Sequence, residues 1–412
     1  MFRRLLLLLC LLSPLPAAAQ GLDGDWNGTL DTPSGAHLRL LFRFHTVNGT
    51  LQAAIMSADQ NSLLIAADSA QLEQNQLTVS FARLNRAYRG TWDATAGTIT
   101  GNWTQSSLSM PLKLVPGTIA PRRMTRTPEA GDITLITPTG TLAGSLLKAG
   151  DGKSAAIVLT GSGGANRNGD TMVESGHGTY LLIARALGDK GISSLRIDKR
   201  GVGESAGAMS SESDLRVQTY AEDAVAWAAE LKKRAGARCV WLIGHSEGAL
   251  IAELAATSSR DICGIVMLAG MGRKPGAVIR EQLQRNLPEG LKQEALAALG
   301  SLEAGRTIAA PSAELMELFR PSVQPYLISQ LNLDPAALLA ALKVPVLILQ
   351  GDADVQVSVA DARALAAARP DATLKILPGV NHRQRLDSEG IEAGLAPGIM
   401  DAVAEFIHRH GP

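Results

Sequence analysis

Between residues 21 and 114, apolar and polar positions alternate with a period of two, and turn-forming residues interrupt the alternation every eight to twelve positions. Such a period puts successive side chains on opposite faces of a strand, so the stretch reads as short, half-buried strands. Residues 37–44 alternate, Asn48-Gly49 supplies a tight turn and 51–56 returns, which is the pattern of a β-hairpin. With further strands at 77–81, 88–92 and 97–103, the spacing predicts an all-antiparallel sandwich or small barrel of seven or eight strands over residues 20–115. From 131 to 412 the rhythm changes. Residues 133–138 and 142–147 flank Thr139-Gly140 as an opening hairpin, and strand-length apolar runs then alternate with helical stretches. The runs at 155–160, 239–243, 264–269 and 344–350 are almost continuously apolar, as strands buried on both faces are. Shorter strands are predicted at 192–198 and 373–377, and helices at 180–190 and 219–235. The alternation predicts an α/β domain with a mostly parallel sheet and helices on both faces, preceded by the small β domain. Only 271–342 breaks the rhythm, with helical segments and no strand.

The two ends of the β stretch have their own signatures. Met1-Phe2-Arg3-Arg4 is cationic, 5–12 is apolar and Ala17-Ala18-Ala19 offers a small-residue cleavage site, so 1–19 reads as a signal peptide for a secreted or periplasmic protein. Its apolar run falls short of the ~20 residues that a bilayer span needs, so no stable span is expected after its removal. Cys10 lies among leucines, where a lipidation site would call for small residues. Residues 116–130, rich in Pro and Arg, read as a linker. The 39 basic and 39 acidic residues balance, and loss of Arg3 and Arg4 leaves 37 against 39, a charge of −2 that implies no nucleic-acid partner. Beyond the signal only Cys239 and Cys263 remain. Buried free thiols are the favoured reading, with a bridge open to them in an oxidising compartment. Trp26, Trp92 and Trp103 each stand near a glycine and read as core aromatics of the β domain, the alternative being a face for glycan or envelope contact.

The candidate chemistry centres on Gly244-His245-Ser246-Glu247-Gly248, which sits where an apolar strand gives way to an Ala/Leu-rich helix. A serine on a sharp strand-to-helix turn needs neighbours without Cβ atoms, and the helix N-terminus favours a developing oxyanion. A Gly-rich loop with an incidental serine would look the same, so partners must decide. Asp352 and Asp354 stand at the carboxyl end of the 344–350 strand, and His382 follows the 373–377 strand. Serine, acid and histidine in that chain order suit such a turn. His245 borders the serine but precedes it and is expected to point the other way, while His408 and His410 fall in a terminal helix.

Five motifs in order then carry a resemblance: Gly161-Ser162-Gly163, Asp198-Lys199-Arg200-Gly201-Val202-Gly203-Glu204-Ser205, Gly244 to Gly248, Gly351-Asp352-Ala353-Asp354 and Gly379-Val380-Asn381-His382. Together they make residues 133–410 resemble an α/β-hydrolase, of the esterase and serine-aminopeptidase-like branch that carries an N-terminal β domain. The resemblance implies a triad of Ser246, Asp354 and His382, choosing Asp354 over Asp352 by its spacing from Gly351. It implies oxyanion donors at the amides of Ser162 and Glu247, and a helical cap at 271–342 whose Leu283, Leu291, Leu299, Met316 and Leu318 either wall the acyl pocket or pack on one another. Thr160 and Gly164 depart from the family's usual residues, which touches the loop's conformation and not its amides. Asp198 and Arg200 read as loop-holding ion pairs sooner than substrate contacts. No cofactor and no metal is implied. The expected function is hydrolysis of small to medium carboxylic esters through an acyl-enzyme, the alternatives being an aminopeptidase-type peptidase acting on short peptides and a non-catalytic binding protein on the same scaffold.

Overall fold

The computed structural model describes residues 21–32, 35, 37–59, 64–81, 86–105, 108–119, 126–171, 178–309, 311–389 and 393–411. Residues 1–19, read as a signal peptide, lie outside them. The chain divides at residues 122 and 123 into two compact units.

The first unit is one antiparallel sheet built from β1 (Gly24–Asp31), β2 (His37–Val47), β3 (Thr50–Ser57), β4 (Ile65–Ala66), β5 (Ser69–Glu73), β6 (Gln76–Phe81), β7 (Arg86–Asp93), β8 (Thr98–Gln105) and β9 (Leu108–Pro116). Its strand order is β4-β3-β2-β1-β9-β8-β7-β6-β5. The turn between β2 and β3 places Asn48 and Gly49 at φ 51° and 78°, the left-handed pair that a two-residue hairpin requires. The sheet's two edge strands are consecutive in the chain. Between them, Ala67 donates its N–H to the Ala53 carbonyl on β3 and Asp68 donates to Ser80 on β6, both at 2.8 Å, which draws the edges together as in a barrel. Nine strands therefore stand where seven or eight are predicted, since a two-residue β4 is too short to show a period. The interior is filled: Phe42, Phe44, Phe81, Tyr88, Trp26 and Trp103 share one core. Trp26 and Trp103 are 4% and 3% exposed, so two of the three tryptophans cannot form an outward glycan-binding face. The stretch read as a linker is shorter than 116–130. Pro116 closes β9, whereas Arg126 pairs with Asp132 at 2.5 Å and with Glu129 at 3.3 Å inside the second unit.

The second unit opens with the hairpin β10 (Asp132–Thr137) and β11 (Gly140–Leu147), followed by β12 (Ala155–Leu159), β13 (Ser193–Ile197), β14 (Val240–His245), β15 (Ile262–Leu268), β16 (Val346–Gly351) and β17 (Thr373–Leu377). The sheet order is β10-β11-β13-β12-β14-β15-β16-β17, with β12 to β17 parallel to one another, β11 antiparallel to β13 and β10 antiparallel to β11. Helices α1 (Thr179–Asp189), α2 (Val217–Ala235) and α3 (Glu247–Ser258) make the first three crossovers. The insertion holds α4 (Pro275–Asn286), α5 (Glu289–Glu303), α6 (Met316–Phe319), α7 (Gln324–Leu331) and α8 (Pro335–Ala341). Helix α9 (Val359–Ala368) joins β16 to β17, and α10 (Ile399–His410) closes the unit. Alternation along β14 explains the two layers of core. Val240 and Leu242 pack with α2 and α3 on one face, and Trp241 and Ile243 pack with α1 and α10 on the other. This is the α/β-hydrolase fold, with helices on both faces of the sheet.

The cysteine reading needs correction: Cys239 and Cys263 form a disulfide, their Cα atoms 5.4 Å apart. They precede or open β14 and β15, which pair side by side, and neighbouring strands bring such positions within bridging reach. A separation of 24 residues carries no register, so the sequence does not reveal the pairing.

Candidate active site

From β12 the chain passes to β13 on one side, and β14 lies on the other. A crevice opens at such a switch point, beyond the carboxyl ends of the strands. Ser246 stands there, directly after β14, with φ 55° and ψ −120°. A non-glycine residue in that region costs on the order of 1–3 kcal/mol and persists only where its surroundings impose it. They do so here. A Cβ on Gly244 would lie 2.2 Å from the Gly248 carbonyl oxygen, and one on Gly248 would lie 2.4 Å from that of Leu159. The two glycines let strand and helix approach closely enough to force the turn. The Ser246 N–H donates to the Leu268 carbonyl at 2.8 Å, which anchors the elbow to β15.

The acid and the histidine come from adjacent loops. A Cβ on Gly351 would meet the Val380 carbonyl at 1.9 Å, so the loops after β16 and β17 run against each other. Asp354 Oδ2 and His382 Nδ1 are 2.7 Å apart. The other carboxylate oxygen accepts the amides of Gln356 at 2.7 Å and Val357 at 3.0 Å, and Gln350 Nε2 donates to Oδ2 at 3.2 Å. Burial pushes the Asp354 carboxyl up, but the His382 imidazole and the two amides outweigh it, and its pKa lies below the usual carboxylate value. Asp352 is spent elsewhere, accepting the Gly379 amide at 2.7 Å. Ser246, His382 and Ser162 line one cavity of about 190 Å³. Glu247 is the first residue of α3, where a backbone N–H has no acceptor within its own helix.

Two further residues support this arrangement: Tyr180, which the sequence reading passes over, and His245, to which it gives no role beyond pointing away from the serine. His245 is buried on the Trp241–Ile243 face of β14, the face that period-two alternation assigns it. Its Nε2 lies 2.7 Å from the His382 carbonyl oxygen, so Nε2 carries the proton and Nδ1 accepts. Tyr180 Oη, 3.0 Å from that Nδ1, is the donor, and it in turn accepts the Gly161 amide at 2.8 Å. Burial, aided by the nearby His382, pushes the His245 pKa down to about 3, and burial pushes the Tyr180 hydroxyl up to about 12. Both therefore stay neutral at ordinary pH, and the chain of bonds keeps one direction. It ties the expected oxyanion loop to the backbone of the expected catalytic histidine.

For the cavity's walls the second reading of the cap leucines, packing on one another, holds over the first. Among the described residues the cavity is lined from the β12–α1 segment by Ala165, Gly169, Asp170, Thr171, Thr179 and Tyr180, and from the other loops by Gln356 and Arg383. Leu283 and Leu299 pack instead with Leu302, Leu315, Phe319 and Leu331 in a core of the cap's own, and Leu318 is exposed. The helices α4 and α5 are short and amphipathic, and each must first cover its own apolar stripe. The charged trio after β13 holds loops, as its residue types suggest: Asp198 binds Arg167 at 2.7 Å and Arg200 binds Asp223 at 2.6 Å, all four buried.

Sheet order, elbow and loop positions together define an α/β-hydrolase. Residues 173–389, just over half of the chain, match a hydrolase family described as serine aminopeptidase, S33. The chain belongs to that family. It is 30% identical over 235 residues to esterase EstD of Thermotoga maritima, an alignment covering 57% of this chain and 55% of that protein. The chain thus spans about half the length of this curated relative. Among solved structures, the esterase Pf2001 of Pyrococcus furiosus is similar at 19% identity and a TM-score of 0.45, over 68% of this chain and 92% of that one. A proline iminopeptidase of Mycobacterium smegmatis is similar at 16% identity and a TM-score of 0.47, over 68% and 98%.

Proposed function

We propose that the protein is a serine hydrolase of small carboxylic esters, with Ser246, His382 and Asp354 as its triad. The observation that carries this reading is the shared cavity of Ser246 and His382, with Asp354 bonded to the far nitrogen of the imidazole. Asp354 holds the proton on Nδ1, which leaves Nε2 as the base. His382 takes the Ser246 proton as Oγ attacks the acyl carbonyl, and returns it to the leaving alcohol. Water then repeats the sequence against the acyl-enzyme. The amides of Ser162 and Glu247 would receive the oxyanion in both halves. The cavity of about 190 Å³, walled by Thr171, Thr179, Tyr180 and Gln356, favours short acyl groups over long chains. A second reading, an aminopeptidase, is favoured by the family's description. The signal-like residues 1–19 and the Cys239–Cys263 bridge support secretion or a periplasmic location, because disulfides persist in oxidising compartments.

The test is a fluorophosphonate label with Ser246→Ala as control, followed by parallel turnover of p-nitrophenyl acetate, p-nitrophenyl laurate and aminoacyl anilides. Labelling confined to the native serine and a preference for the acetate are expected. Ser246→Ala should lower turnover by about 10³-fold or more with its circular dichroism unchanged. Faster anilide turnover would select the peptidase, and hydrolysis that survives in Ser246→Ala would remove the assignment.

A further inference from the structure

Directly beneath the elbow lies a pair of buried charges that the triad does not use. Lys199 follows β13 and Glu247 opens α3; they are 7% and 4% exposed, and Lys199 Nζ stands 3.2 Å from Glu247 Oε2. The same Nζ donates to the Gly161 carbonyl at 2.6 Å. The other oxygen of Glu247 accepts Gln330 Nε2, from α7 of the cap, at 3.2 Å. Burying such a pair gains little over well-packed apolar side chains, so stability alone does not account for it.

We propose that Lys199 is a positioning residue for the oxyanion site, acting through the peptide between Gly161 and Ser162. The inference rests on the hydrolase reading above. The carbonyl of Gly161 and the N–H of Ser162 belong to one planar trans peptide and point in opposite directions. An ammonium gripping the carbonyl from below fixes the rotation of that plane, and with it the aim of the N–H. It also polarises the peptide, which makes the N–H a stronger donor. Ser162 lines the cavity, so the aimed donor belongs to the site. The preceding peptide is held as well, since the Gly161 N–H donates to Tyr180 Oη at 2.8 Å. Glu247 completes the arrangement twice over. Its side chain is the counter-ion of Lys199, and its backbone N–H is the second expected donor. One ion pair therefore joins the undersides of both donors and sets the gap between them.

Lys199→Met keeps the stem and removes the ammonium. It should lower kcat for p-nitrophenyl acetate about 10- to 100-fold, a share of the 10²–10³-fold that loss of a whole oxyanion donor costs. KM should stay within about twofold, because a carbonyl ground state gains little from the donors. Affinity for a phenylboronic acid, whose tetrahedral serine adduct imitates the oxyanion, should fall by the same factor as kcat/KM. Lys199→Arg, which can keep both contacts, should recover at least part of the loss. If Lys199→Met fails to fold because Glu247 is left unpaired, the double variant Lys199→Met/Glu247→Met removes both charges and should show the same loss. A folded single or double variant with native kcat and native boronate affinity overturns the proposal, whatever its melting temperature. Unsubstituted protein that neither labels with fluorophosphonate nor turns over ester overturns the hydrolase reading and this inference with it, and is distinguished because it appears before any substitution is made.

Discussion

The Cys239–Cys263 bridge closes a loop that holds β14, the elbow, α3 and the start of β15, and its removal has a calculable cost. With a separation of 24 residues, the loop-closure entropy withdrawn from the unfolded chain corresponds to about 3.5 kcal/mol at 25 °C. The catalytic unit, Arg123–Pro412, comprises about 290 residues. At roughly 2 cal/mol/K per residue its unfolding entropy is near 0.6 kcal/mol/K, so loss of the bridge should lower Tm by about 6 °C. Activity at 25 °C should survive. The bridge sits at the amino ends of the two strands and Ser246 at the carboxyl end, about 20 Å away at ~3.3 Å per residue over β14. The assay compares oxidised protein, protein reduced with dithiothreitol, and Cys239→Ala/Cys263→Ala, by calorimetry and by ester turnover. Thiol titration verifies two free sulfhydryls in the reduced sample. A reduced sample with both thiols titrated and a Tm unchanged within a degree would refute the loop-entropy argument. Loss of turnover at 25 °C without unfolding would show that the bridge holds the elbow itself.

Other outcomes follow from the same geometry. Asp354→Asn turns an amide NH₂ toward His382 Nδ1 and forces the wrong tautomer, so kcat should fall about 10⁴-fold, whereas Asp352→Asn should cost far less; the reverse ranking in steady-state kinetics would move the acid to Asp352. Glu253 on α3 is fully buried, neither carboxylate oxygen has a hydrogen-bond partner among the described residues, and burial pushes its pKa well up. A raised carboxyl stabilises only while it keeps its proton, so that contribution is lost as pH rises above about 4.5. Glu253→Met should therefore stabilise by about 1–3 kcal/mol at pH 8 and by less at pH 4, and an equal gain in urea melts at both pH values would contradict it. His245 has the opposite sign: it stays neutral in the fold down to about pH 3 while the unfolded chain takes up a proton below about 6.5. Stability should fall through that window by at most ~1.4 kcal/mol per pH unit, and His245→Gln should flatten the fall in acid urea melts.

Much of the second unit was legible because its strands are buried on both faces and announce themselves as apolar runs. Loops at their carboxyl ends then had to hold the polar residues, which is why Ser246, His382 and the pair Asp352 and Asp354 stood out as candidates, with the family resemblance choosing Asp354. Where reading failed, the missing information was three-dimensional. Tyr180 lies in a helix like any core tyrosine, and only the fold sets its hydroxyl between Gly161 and His245. Lys199 follows a strand and has no partner visible in sequence, because Glu247 lies 48 residues later and only the fold brings the two together. The cap leucines show the limit from the other side: their apolar stripes are visible in sequence, but not whether they face a pocket or one another.

Most of the cavity's walls come from one crossover, and the proposed triad comes from others. Residues from the end of β12 to the first turn of α1 line most of the cavity, while Ser246, Asp354 and His382 stand on the loops after β14, β16 and β17. On the proposed function, preference and reactivity would then vary independently: a change at Ala165 or Thr171 alters the cavity's wall at residues outside the proposed triad. A library confined to 165–171 would be expected to yield variants with new acyl preferences and undiminished rates of fluorophosphonate labelling.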